Sequence, residues 1–86
     1  MKSFLLKISS PEGDVFCGDA VKLSVRGTEG DLAVMAGHIP FVTYLVKAPC
    51  TIFLPDGTKR IANSDGGLLT VGKNAATLLS GTFKFQ

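Results

Sequence analysis

The chain has no tryptophan, one tyrosine, one histidine and two cysteines among its 86 residues. Each scarcity excludes something. A metal site needs two or more converging His, Cys or carboxylate ligands, and a lone His38 with two distant cysteines offers a weak set. Cys17 and Cys50 form no C-x-x-C and are too few for a disulfide framework, so both are read as small core residues. No apolar run approaches the roughly 18–20 residues of a membrane span. The start, MKSFLLKISS, holds only FLL between charged or polar residues, too short for a signal-peptide core. The chain therefore reads as cytosolic or exposed to the cytosol. Nine basic and seven acidic residues leave a net charge of +2, and no basic run exceeds Lys59-Arg60. Nucleic-acid binding needs a clustered basic face, often with stacking aromatics, and is not expected. No G-x-x-x-x-G-K-[ST] is present to cradle a phosphate.

What is present is alternation. The chain is 45% hydrophobic and 19% charged, the balance of one folded domain. Phe4, Leu6 and Ile8 fall on one face, with Leu5, Lys7 and Ser9 on the other. Pro11-Glu12-Gly13-Asp14 marks a turn. Val21, Leu23 and Val25 alternate with Lys22, Ser24 and Arg26, the pattern of a half-buried strand. Leu32–Met35 is a short strand and Phe41–Lys47 an extended apolar run. Pro49 precedes a hairpin in which Thr51–Leu54 and Thr58–Asn63 flank Pro55-Asp56-Gly57. A second hairpin pairs Gly67–Val71 with Ala75–Leu79 around Gly72-Lys73-Asn74. Short strands with turn signals at this spacing predict an all-β sandwich or barrel of eight to ten strands.

Candidate chemistry is thin. Asp14, Asp19, Asp31, Asp56 and Asp65 sit at turns or strand starts, where aspartate caps its own backbone. Gly66-Gly67 precedes a strand, so it lacks the helix terminus that phosphate loops exploit. The densest segment is GTEGDLAVMAGHIP, residues 27–40. Its His38 is open to four readings: catalyst, metal ligand, partner contact, or the polar tip of a turn. Met35, Ile39 and Phe41 surround it and can form exposed apolar binding surface. A thiol enzyme using Cys17 or Cys50 with His38 is an alternative, though no oxyanion-hole motif accompanies either cysteine.

The run G-T-E-G-D-L-A-V-M-A-G-H-I-P-F-V-T resembles the hallmark of the epsilon subunit of F-type rotary ATP synthases, called delta in mitochondria. That family reads close to G-x-x-G-[ED]-[LF]-G-I-L-P-G-H-A-P-L-[LV]-T. Gly27, Gly30, Asp31, Leu32, Gly37, His38, Pro40 and Thr43 match without a gap. Phe16-x-Gly18 and Gly66-Gly67-Leu-Leu-Thr-Val71 extend the likeness over nearly the whole chain. Ala33 stands for a frequent glycine, Ala36 for a frequent proline and Thr70 for a common acid.

The resemblance implies a flattened β-sandwich of about ten short, mostly antiparallel strands. It implies a non-catalytic subunit of the rotor's central stalk, binding the gamma subunit and resting on the c-ring, so that proton flow turns the stalk. It places the complex at the cytoplasmic face of the cell membrane. By position, Asp31, Met35 and His38 fall on the c-ring side, and Ser9, Ser10, Ile39, Pro40, Phe41 and Thr43 on the gamma side. The glycines are expected to present Asp31 and His38 at one end of the sandwich. Bacterial members usually continue into a C-terminal helical hairpin, which carries nucleotide binding and inhibition. The chain ends at Gln86, so a single domain over 1–86 is expected, without cofactor, metal or bound nucleotide. The alternative is a stand-alone sandwich that binds an unrelated partner.

Overall fold

The computed structural model describes residues 2–37 and 39–86. Ten strands follow in order: β1 (Phe4–Ser10), β2 (Gly13–Ala20), β3 (Lys22–Gly27), β4 (Gly30–Met35), β5 (Phe41–Leu45), β6 (Ala48–Phe53), β7 (Lys59–Ser64), β8 (Gly67–Val71), β9 (Ala75–Leu79) and β10 (Phe83–Phe85). They form one sheet in the order β10-β7-β6-β3-β5-β8-β9-β1-β2, with β4 paired to β3 beside that path. Among the described residues every pairing is antiparallel except β1 with β9. The sheet folds over on itself, and the all-β sandwich with about ten mostly antiparallel strands is what the structure shows.

Alternation decides which side chains enter the interior. Phe4, Leu6 and Ile8 are buried on β1 while Leu5 and Lys7 are exposed. Leu23 and Val25 are buried on β3, with Arg26 exposed. Leu6, Ile8, Leu23, Ile52, Leu69 and Leu78 have no solvent exposure, and they meet in a single core. Burial of such side chains contributes roughly 1.5–3 kcal/mol each.

The structure departs from the sequence reading at four places. The turn after β1 is confined to Pro11-Glu12, and β2 already begins at Gly13. Ile8 opposes Phe16 while Ser9 opposes Asp14, so Val15 is the extra residue of a bulge. The bulge lets Val15 and Phe16 both pack on the core, which hides the alternation of β2. Cys17 is exposed, not a core residue, because it stands opposite the outward-pointing Lys7. Pro49 lies inside β6 rather than ahead of it. The β3–β6 ladder ends at Ser24↔Thr51, so the missing N–H of Pro49 interrupts no bond to β3. Finally, Phe83–Phe85 form a tenth strand on β7. Phe85 meets Phe83 edge-on at 5.6 Å and Phe16 at 6.5 Å, so the two ends of the sheet approach through aromatic rings.

The corner between β7 and β8 is held by buried hydroxyls. Ser64 Oγ and Ser80 Oγ lie 3.1 Å apart, and Ser80 Oγ is 2.7 Å from the carbonyl oxygen of Gly66. The Gly66 N–H donates to Ser64 Oγ at 3.1 Å. Asp65 accepts from the Thr82 N–H and the Ser80 hydroxyl, both at 3.0 Å. Gly67 takes φ +152°, and a Cβ there would sit 2.0 Å from the Leu79 carbonyl oxygen. Gly67→Ala is therefore expected to destabilise the domain by on the order of 2–3 kcal/mol, since backbone must move to admit the methyl. Urea denaturation of the variant checks this.

Asp65 also carries a pH dependence. The Thr82 N–H first, and then the Ser80 hydroxyl, hold its carboxyl below the usual carboxylate range. A depressed folded pKa gives stability that is present above the unfolded value and lost as pH falls through the folded one. The stability gap between wild type and Asp65→Asn is expected to be full at neutral pH and to shrink below about pH 4. Urea midpoints of both proteins at pH 7 and pH 3 measure it; a gap that stays constant contradicts the assignment.

Candidate partner-binding faces

Cross-strand register builds an outer surface from β5, β8, β9 and β1. One row runs Tyr44, Leu68, Leu79, Ser9, and the next Val42, Thr70, Thr77, Lys7. Leu5 follows on β1. Tyr44 is 69% exposed, Val42 62%, Leu79 50% and Leu5 48%, so large apolar groups face water next to one another. Contiguous apolar surface of this kind marks an interaction site. It exists because these strands are apolar on both phases, FLLKI, FVTYL and GLLTV, while one phase suffices to fill the core.

The gamma-side candidates are placed differently from one another. Ile39, 82% exposed, and Pro40 stand free on the β4–β5 connection. Phe41 packs against the core, and Thr43 opposes the fully buried Leu69, so both belong to the inner phase of β5. The outward side chains of that strand are Val42 and Tyr44, which the motif-based reading missed although the alternation of FVTYL contains them. Ser9 and Ser10 close β1: Ser9 Oγ donates to Asp14 Oδ1 at 2.9 Å, and the Glu12 N–H to Ser10 Oγ at 3.3 Å. Register places Ser9 in the row of Tyr44, three strands away.

Asp31 and Met35 occupy opposite ends of β4. Asp31 stands opposite Arg26 beside the Thr28-Glu29 turn, and Met35 opposite Lys22. Four residue steps along the strand separate them by about 13 Å. The Arg26 Nε–H donates to Asp31 Oδ1 at 2.8 Å, and this bond to Asp31 raises the Arg26 pKa. Both side chains remain more than half exposed, so solvent screens the pair and it adds little to stability. Beyond Met35, Ala36 packs on the core and Gly37 turns the chain at φ +83°. That turn lies at the far end of β4 from Asp31. His38, the remaining c-ring candidate, lies outside the described residues, and so does any pairing of it with a cysteine.

Burial pushes the Cys50 thiol up to about 11, the reverse of what a nucleophile needs. Among the described residues no three His, Cys, Asp or Glu side chains converge to hold a metal.

A doubled-over sheet of ten mostly antiparallel strands, with large apolar side chains exposed on one outer face, defines a β-sandwich. The chain belongs to the ATP synthase delta/epsilon chain β-sandwich domain family, whose model matches residues 3–86. It is similar to a chain of the Euglena gracilis mitochondrial ATP synthase OSCP/F1/c-ring assembly in rotational state 1. That likeness has TM-score 0.92 and 18% identity, and covers 96% of this chain and 53% of that one. It is also similar to a chain of the Tetrahymena thermophila mitochondrial ATP synthase central stalk and c-ring. There the TM-score is 0.80 at 11% identity, over 95% of this chain and 66% of that one. At these identities the likeness shows the fold, and the chain spans less than two thirds of each neighbour.

The two cysteines make a direct check on the exposed and buried surfaces. A thiol reagent at neutral pH is expected to modify one equivalent in the native protein, at Cys17, and the second only in denaturant. Two fast equivalents, or a fast phase surviving in Cys17→Ser, would contradict the burial of Cys50.

Proposed function

We propose that this chain is a non-catalytic central-stalk subunit of a proton-translocating ATP synthase, joining the gamma subunit to the c-ring. Family membership supports the assembly, and the exposed apolar face of β5-β8-β9-β1 is the observation that carries a docking role. In this reading the gamma subunit covers Val42 and Tyr44 together with Ser9, Ser10, Ile39 and Pro40, and Phe41 and Thr43 support that surface from the inner phase. The c-ring meets β4 and the turn after it, through Asp31, Met35 and His38. The domain works as a stiff coupling: rotor torque passes through a cross-linked sheet, not through chemistry. Affinity comes from apolar anchors, because exposed ion pairs add little. The subunit sits peripherally at the coupling membrane's cytoplasmic side; no helix among the described residues is long and apolar enough to cross. It binds no nucleotide of its own.

Tyr44→Asp is expected to weaken gamma association by at least about tenfold, the cost of losing one interfacial hot spot. Ile39→Asp acts in the same direction, and both variants keep the fold because neither side chain enters the core. Co-purification with gamma, with circular dichroism as the folding control, reads this out. Unchanged association in both variants returns the chain to the stand-alone sandwich reading.

A further inference from the structure

The outer face of β4-β3-β6-β7 differs in kind from the apolar one. Register lines up Met35, Lys22, Phe53 and Lys59 in one row across the four strands. Lys22 Nζ stands 5.2 Å from the centroid of the Phe53 ring. At the end of this row Val21, Met35, Phe53 and the Leu54–Thr58 turn enclose an open groove of about 370 Å³, mainly apolar, with Lys22 and Thr58 as its polar lining. The ion pairs of the described residues are Lys7–Asp14 and Arg26–Asp31, so Lys22 and Lys59 have no carboxylate partner. Lys84, farther along on β10 opposite Asn63, has none either. Asp31 is committed to Arg26, and Asp56 to the N–H and hydroxyl of Thr58 at 2.9 and 2.6 Å.

We propose that this face docks an acidic polypeptide segment, with one apolar side chain in the groove and carboxylates on Lys22 and Lys59. Charge complementarity selects the occupant. The two lysines flank Phe53 one strand away on each side, about 10 Å apart. They bracket an apolar strip, which matches acids bracketing an apolar residue. A nucleic acid fits poorly, since the Phe53 ring is already covered by a lysine and no free cluster of cations tracks a backbone. A bilayer fits poorly too: two or three lysines at about 1 kcal/mol each hold no protein on an anionic surface. The site lies on a different face from the one assigned to gamma, and the residue it shares with the c-ring side of the proposed function is Met35.

The test is a titration of the isotope-labelled 86-residue chain with a synthetic peptide of alternating glutamate and leucine, followed by amide NMR. Shifts are expected at Val21, Lys22, Met35, Phe53 and Gly57, with affinity falling as salt is raised. Lys22→Glu/Lys59→Glu is expected to weaken binding at least tenfold. A lysine–leucine peptide is expected to give no shifts there. Absence of shifts with the acidic peptide, shifts confined to β5-β8-β9, or affinity unchanged by the double reversal overturns the proposal. So does tighter occupancy of the same residues by phosphatidylglycerol vesicles or single-stranded DNA. Should the reversal variant lose its dispersed spectrum, Lys22→Gln/Lys59→Gln decides: a severalfold loss supports the site and no loss overturns it.

Discussion

The structure depends on how β3 is divided between two partners. Its first half pairs with β6 through Lys22–Ser24, and its last residue with β5 through Gly27↔Leu45. The division is reinforced by Thr28 N–H to the Tyr44 carbonyl and Val46 N–H to the Arg26 carbonyl. Between Leu45 and Ala48 the chain crosses from one layer to the other in two residues. At Gly27 a Cβ would stand 3.0 Å from Leu32 Cδ2, whose side chain would have to give way, and at ordinary contact, 3.6 Å, from the Tyr44 carbonyl oxygen. From this seam the sheet doubles over, and a single core of Leu6, Ile8, Leu23, Ile52, Leu69 and Leu78 follows.

Doubling over sorts the strand faces into inner and outer, and the outer ones carry the interest. An 86-residue chain has little interior, so apolar residues on the second phase of β1, β5, β8 and β9 have nowhere to go but the surface. Leu5, Val42, Tyr44 and Leu79 stay exposed for that reason. Keeping such residues outside exposes the domain to aggregation unless a partner covers them. The other layer solves the same problem with lysines beside its one large outward ring, Phe53.

Much of the fold was legible in alternation alone. Period two in FLLKI and KLSVRG names the inward Phe4, Leu6, Ile8, Leu23 and Val25 correctly, while Val21 lies ahead of β3 and lines the outer groove, and Pro-Asp-Gly marks the β6–β7 turn as it stands. What escaped was whatever register decides. The bulge at Val15 cannot be seen without β1 beside it, and with it went the exposure of Cys17. The pairing of Phe83–Phe85 with β7 is too short for a local signal. Site residues divided in the same way. Ile39 and Pro40 are exposed on the connection the motif singles out, but the motif is blind to side-chain phase. It draws attention to Phe41 and Thr43, whereas the pleat turns Val42 and Tyr44 outward.

The two faces therefore ask for different partners on physical grounds. A row of Tyr44, Leu68 and Leu79 has no charge to set orientation, so what covers it must match in shape and must bury area to bind. The row of Lys22, Phe53 and Lys59 has little area but two fixed charges, which set register and give salt sensitivity. A large apolar contact releases slowly, while a small charged contact suits one made and broken. Both arise from one sequence because strand pleat separates residues only one position apart, such as Leu23 from Lys22, into core and binding face.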